Sequence, residues 1–119
     1  MSSEIPEHVW RNRQAWDVLA ADFAAEGRRA WAEDRVTWGI WGIPEDDLQV
    51  LPPMRGLVVI ELGCGTAYMS AWLTRRGARV VAIDNSERQL DTARALQREH
   101  GLAFPLIHGN AEAVPRPDA

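Results

Sequence analysis

Seven consecutive residues, Glu61-Leu62-Gly63-Cys64-Gly65-Thr66-Ala67, combine a carboxylate, two glycines and small side chains. Glycines so spaced let a backbone turn tightly and let a ligand approach it closely. Asp84 follows about twenty residues later, a separation at which a carboxylate can accept hydrogen bonds from both hydroxyls of a ribose. Such charge-assisted bonds contribute roughly 1.5–3 kcal/mol each. A third polar stretch, His108-Gly109-Asn110-Ala111-Glu112, suits a loop beside a purine ring. Together these point to nucleotide binding. Two rival nucleotide loops are disfavoured. The dinucleotide fingerprint needs a small residue where Tyr68 stands, which counts against a nucleotide-dependent oxidoreductase, and a phosphate loop needs a Gly-Lys pair where the chain has no lysine at all.

The elements that must hold these residues read as alternating strand and helix. Leu57–Leu62 is a short apolar, β-branched run that suits a strand buried on both faces. Ala67–Arg76 carries Met69, Trp72 and Leu73 at helical spacing and stops at Gly77. Arg79–Ile83 is a second buried-type strand. Ser86 and Gln89 fit a capping box that starts a second helix, with Leu90, Ala93 and Leu96 as its apolar stripe and Gly101 at its end. Phe104–His108 is a third strand, which Pro105 confines to a sheet edge or to a start at the proline. This order implies parallel pairing with right-handed crossovers, part of a doubly wound α/β sheet. In that fold ligands bind at the carboxyl ends of the strands, where all three polar stretches fall.

Leu51-Pro52-Pro53-Met54-Arg55-Gly56 breaks the chain into a segment 1–50 and a segment 51–119. In the first, Trp16, Leu19, Ala20 and Phe23 share one face of a helix over Asn12–Gly27, with Gly27 as its stop. Trp38-Gly39-Ile40-Trp41-Gly42-Ile43-Pro44 is an aromatic loop. All tryptophans but Trp72 lie in this segment, and packing against the sheet is expected of most, with Trp38 and Trp41 the exceptions.

The chain has 119 residues and a formal net charge of −4, which argues against a general nucleic-acid binder. A single cysteine, no apolar run long enough to span a bilayer and no signal-like start favour a soluble protein of the cytoplasm. His8, His100 and His108 are too scattered for a metal site.

Val59–Thr66 resembles the first motif of class I S-adenosylmethionine-dependent methyltransferases. Ala82-Ile83-Asp84-Asn85-Ser86 with Leu90, Ala93 and Arg94 resembles the second, and Gly109–Glu112 with Val114-Pro115 the third. The resemblance implies a Rossmann-like, partial doubly wound parallel sheet of three strands with crossover helices, preceded by an N-terminal helical segment. It implies S-adenosylmethionine as cofactor and S-adenosylhomocysteine as product. Gly63 and Gly65, with Cys64 between them, would line the methionine portion, and Glu61 would help hold its amino group. Asp84 would bind the ribose, Asn85 and Ser86 would lie near the adenine edge, and Asn110 and Ala111 would contact the adenine amino region. Ala67 stands where the family usually has a third glycine, a small-for-small change. In the family further strands follow a sequence like Pro115–Ala119. The expectation is therefore a cofactor-binding half with little turnover of its own and an open sheet edge through which copies could pair. The acceptor would be a small molecule, and no residue stands out as a catalytic base. The competing reading is a non-catalytic cofactor-binding module or one half of a paired assembly.

Overall fold

The computed structural model describes residues 5–39 and 41–110. Helix α1 (Glu7–Trp31) begins at Pro6, whose extended backbone precedes the first turn, and it carries Glu7 in the first turn and Arg28 and Arg29 in the last, the charges that complement a helix dipole. A two-residue hairpin follows, β1 (Thr37–Trp38) against β2 (Ile43–Pro44), then the single turn α2 (Glu45–Leu48). Glu45 ties this corner together by accepting from Trp38 Nε1 (2.8 Å) and from the backbone N–H of Leu51 (2.8 Å). Then come β3 (Val58–Leu62), α3 (Tyr68–Arg75), β4 (Arg79–Asp84), α4 (Glu87–His100) and β5 (Leu106–His108).

The three later strands form one parallel sheet in the order β3-β4-β5, with Glu61 beside Ala82 and Asp84 beside His108. β5 starts just past Pro105, one of the two placements the proline allows, and among the described residues it lies at an edge of the sheet. Val80 and Ala82 on one face of β4 join a core built with Ala71 and Leu73 of α3 and Leu90, Ala93 and Leu96 of α4. Helix α1 lies over α3 and α4 and inserts Trp31 into that core, where the ring stacks on Phe104 at 6.1 Å. The Trp31 indole N–H donates to the Thr66 carbonyl at 2.7 Å, and the Trp72 indole N–H donates to the Ala30 carbonyl at 2.9 Å. Both ring nitrogens are thereby satisfied on burial, as a buried indole requires.

Four expectations need correction. First, β3 is not buried on both faces: Val58, Ile60 and Leu62 are 73%, 43% and 49% exposed. Among the described residues β3 is an edge strand, and only the face bearing Val59 and Glu61 meets the helices. Second, Gly27 does not end a helix. It sits inside α1, where a Cβ would come within 2.5 Å of Thr66 Oγ1, so it serves the close approach of α1 to the loop before α3. Third, the packed face of α1 is turned away from the predicted one. Val9, Arg13, Asp17, Ala20, Gly27 and Trp31 face inward, whereas Trp16, Leu19 and Phe23 remain 36–45% exposed. Trp10 and Trp16 are accordingly outside the core, with Trp31 and Trp72 inside it and Trp41 81% exposed. Fourth, half of the capping box forms: Ser86 Oγ accepts from Gln89 N–H (3.3 Å), but the Ser86 N–H goes to Asp84 Oδ1 (2.8 Å) instead of to Gln89.

Candidate active site

The site is assembled where β3 and β4 end. The glycine loop leaves β3 with Gly63 and Gly65 at φ 66° and 59°, a left-handed backbone that glycine adopts without cost. Two bonds pin the loop to the neighbouring strand. The Cys64 N–H donates to the Ile83 carbonyl (3.0 Å) and the Gly65 N–H donates to Asp84 Oδ2 (2.7 Å). Asp84 therefore does more than face a ligand; it locks the loop's shape, with one oxygen on Gly65 and the other on Ser86. A carboxylate offers about four lone-pair positions, so two remain for further donors. The space beside Gly63 is open: a Cβ added there would meet no atom within 4 Å.

Ala67 is less innocuous than a small-for-small change suggests. It also has a left-handed backbone, φ 66°, where an alanine costs roughly 1–2 kcal/mol. Its methyl group is fully buried in the core, which offsets part of that strain at roughly 0.8 kcal/mol per buried carbon.

Glu61 points from β3 toward the helices and accepts from both the N–H and the hydroxyl of Ser70, at 3.1 and 2.5 Å. Burial pushes its carboxyl above the ordinary glutamate range. The Ser70 bonds pull the other way, and the Asp84 charge adds to the rise. Burial also drives the Cys64 thiol well up, followed by the charges of Glu61 and Asp84, so this sulfur is not an activated nucleophile.

The β4–α4 loop is clamped by α1. The Asn85 side chain donates to the Val9 carbonyl (2.9 Å) and accepts from Arg13 Nε (2.7 Å). Ser86, wholly buried, donates from its hydroxyl to Asp17 (2.6 Å). The His108 ring spans the gap between the Asn85 carbonyl and Glu87, each at 3.1 Å. Arg13 and Asp17 were invisible as site residues because charged side chains four apart read as a solvated helix face. Their shared face with Val9, Ala20 and Gly27 is the signal that marks them as packed.

A cleft of about 220 Å³ opens between α1 and the strand ends. Gly63, Asp84, Asn85, Gly109 and Asn110 line its floor, and His8, Val9, Asn12 and Trp16 of α1 line its wall. Four of the nine proposed cofactor residues line the cleft: Gly63, Asp84, Asn85 and Asn110. Cys64 and Gly65 belong to the loop beside it, Glu61 and Ser86 stand behind, and Ala111 lies outside the described residues. Sequence reasoning gave residues 1–50 as a helical cap but assigned no residue of α1 to this cleft.

A family model described as a methyltransferase domain matches residues 59–119. The ubiquinone biosynthesis O-methyltransferase of Roseobacter denitrificans (strain ATCC 33942 / OCh 114) is 35% identical over 81 residues, 68% of this chain and 33% of the relative. The malonyl-[acyl-carrier protein] O-methyltransferase of Serratia marcescens is 41% identical over 64 residues, 54% of this chain and 24% of the relative. The chain thus spans about a third or less of the length of these curated relatives. The crystal structure of the [4+2]-cyclase SpnF shares the fold, with a TM-score of 0.67 at 22% identity over 92% of this chain and 45% of that one.

Proposed function

This chain belongs to the methyltransferase domain family, and from that premise we propose that it forms the S-adenosylmethionine-binding side of a methyltransferase. The observation that carries the proposal is Asp84. It is buried at the end of β4, it holds the glycine loop through Gly65, and it keeps acceptor capacity facing a cleft floored by Gly63. The donor set fits the cofactor: a carboxylate for paired ribose hydroxyls and an open glycine backbone for the methionine portion, with Glu61 behind that loop as the carboxyl proposed for its amino group. Bound there, the cofactor supplies an activated methyl group on a sulfonium.

The chain's own part is alignment and exclusion of water. Asp84 fixes the ribose and, through Gly65, the loop beside the methionine portion. Glu61 offers its carboxyl to the cofactor's amino group, directly or through water. Asn85 and Ser86 act through α1, holding the cleft wall against its floor, while Asn110 and Ala111 border the adenine. On this reading residues 1–50 are a cap over the cofactor domain 51–119, and the acceptor is a small molecule. No helix among the described residues is long and apolar enough to cross a membrane. We propose a cytoplasmic location.

The test is calorimetric titration of S-adenosylhomocysteine and, separately, of NAD. Saturable binding of the first with none of the second is expected; the reverse would sink the proposal. The second reading, a cofactor-binding module that works as one half of a pair, is motivated by the edge position and exposed face that β3 has among the described residues. Sedimentation decides it, since a monomer at high concentration removes the pairing.

A further inference from the structure

One face of α1 joins two cavities. His8, Asn12 and Trp16 line the cleft beside Asp84, whereas Glu26 and Ala30 line a second cavity of about 420 Å³ with Tyr68 and Trp72 of α3. Steps of three and four residues place all of them on a single stripe of the helix. Leu19 and Phe23 fill the stripe between the cavities, 41% and 36% exposed, and the Phe23 ring lies 5.7 Å from that of Trp16. From Trp16 to Glu26 the helix rises about 15 Å, the length of a two- or three-ring molecule.

We propose that this stripe is the wall along which the methyl acceptor lies, and that the acceptor has a planar apolar body, an aromatic or conjugated system. The inference rests on the methyl-transfer reading above and adds the substrate class. Three adjoining apolar side chains, Trp16, Leu19 and Phe23, are partly left in water, and a flat hydrocarbon surface laid on them would remove that exposure. The tilted Trp16–Phe23 pair offers a ring edge and a ring face, the two surfaces to which another aromatic ring packs. At the far end, Tyr68 directly follows the glycine loop and meets Trp72 edge to face at 5.0 Å. Burial, then the Glu61 and Glu26 charges, push the Tyr68 hydroxyl pKa up, so it remains a hydrogen-bond donor to a polar group on the acceptor. A second copy of the chain is a poorer occupant. A stable protein interface buries about 800 Å² per partner, and three partly exposed side chains supply only a fraction of that.

The probe is 1-naphthol, planar and apolar with one hydroxyl, titrated calorimetrically into the chain alongside S-adenosylhomocysteine, with glycerol as the polar control. Phe23→Ser and Leu19→Ser, checked for intact circular dichroism, are exposed changes away from the cofactor residues. Saturable 1-naphthol binding is expected, weakened by about tenfold or more in each variant, with S-adenosylhomocysteine affinity held within about twofold. The proposal falls if the wild-type chain binds S-adenosylhomocysteine but not 1-naphthol, or if the variants bind 1-naphthol as well as wild type does. It also falls if Phe23→Ser merely converts a dimer to a monomer in light scattering. Variant-sensitive 1-naphthol binding without S-adenosylhomocysteine binding would keep the stripe as a ligand site and overturn the methyl-transfer reading. Absence of both would overturn both.

Discussion

The helix-covered face of β4 and the far face of β3 carry similar side chains and meet opposite fates. Toward α1, α3 and α4, β4 contributes Val80 and Ala82, 3% and 0% exposed, to a core closed by Trp31. On the other face of β3, Val58, Ile60 and Leu62 stand 73%, 43% and 49% exposed. β-branched composition is therefore a statement about strand formation, and coverage is decided by what packs there. The same division explains the site. Asp84 and the glycine loop are held from the helix-covered side by hydrogen bonds at Gly65, Asn85 and Ser86.

The largest expected effect breaks the comparison outright. Trp31→Ala removes a fully buried ring and its bond to the Thr66 carbonyl, and should cost about 3–5 kcal/mol in urea denaturation. Val58→Ser, on the bare face, should stay within about 0.5 kcal/mol. Equal losses would mean that the bare face is covered in solution.

Next in size is Gly27→Ala. Helix propensity alone favours alanine by about 1 kcal/mol. The new methyl group would meet Thr66 Oγ1 at 2.5 Å and Thr66 Cβ at 2.8 Å, so the overpacking penalty of about 1–3 kcal/mol should win. A rise in melting temperature would show that α1 does not sit so close to the loop before α3.

A smaller effect concerns Glu61. Its folded carboxyl is raised above the unfolded value by burial, so the folded state holds the proton more tightly. Stability from this group is thus greatest below the ordinary glutamate pKa and is lost as pH rises through the raised value. Glu61→Gln should raise the melting temperature at neutral pH, flatten that pH dependence and weaken S-adenosylhomocysteine binding. An unchanged pH profile would remove Glu61 from the buried side.

Much of this was legible in the sequence. The alternating elements, the parallel order, the start of the third strand just past Pro105 and the meeting of Gly63 with Asp84 and Asn110 all follow from local patterns, because apolar period and turn chemistry act locally. What escaped depends on contacts between distant segments. Trp16, Leu19 and Phe23 form the more apolar face of α1, yet Arg13 and Asp17 define its packed face, because their partners Asn85 and Ser86 lie some seventy residues away. Gly27 read as a stop for the same reason: nothing nearby reveals Thr66 against it.

The central claim is that Asp84 organises a cofactor site, and calorimetric titration of S-adenosylhomocysteine into wild type and Asp84→Ala tests it most directly. Saturable binding that weakens by about a hundredfold or more in the variant, the loss of two charge-assisted bonds, is the predicted result. Equal affinity in a variant that keeps its circular dichroism would contradict the account.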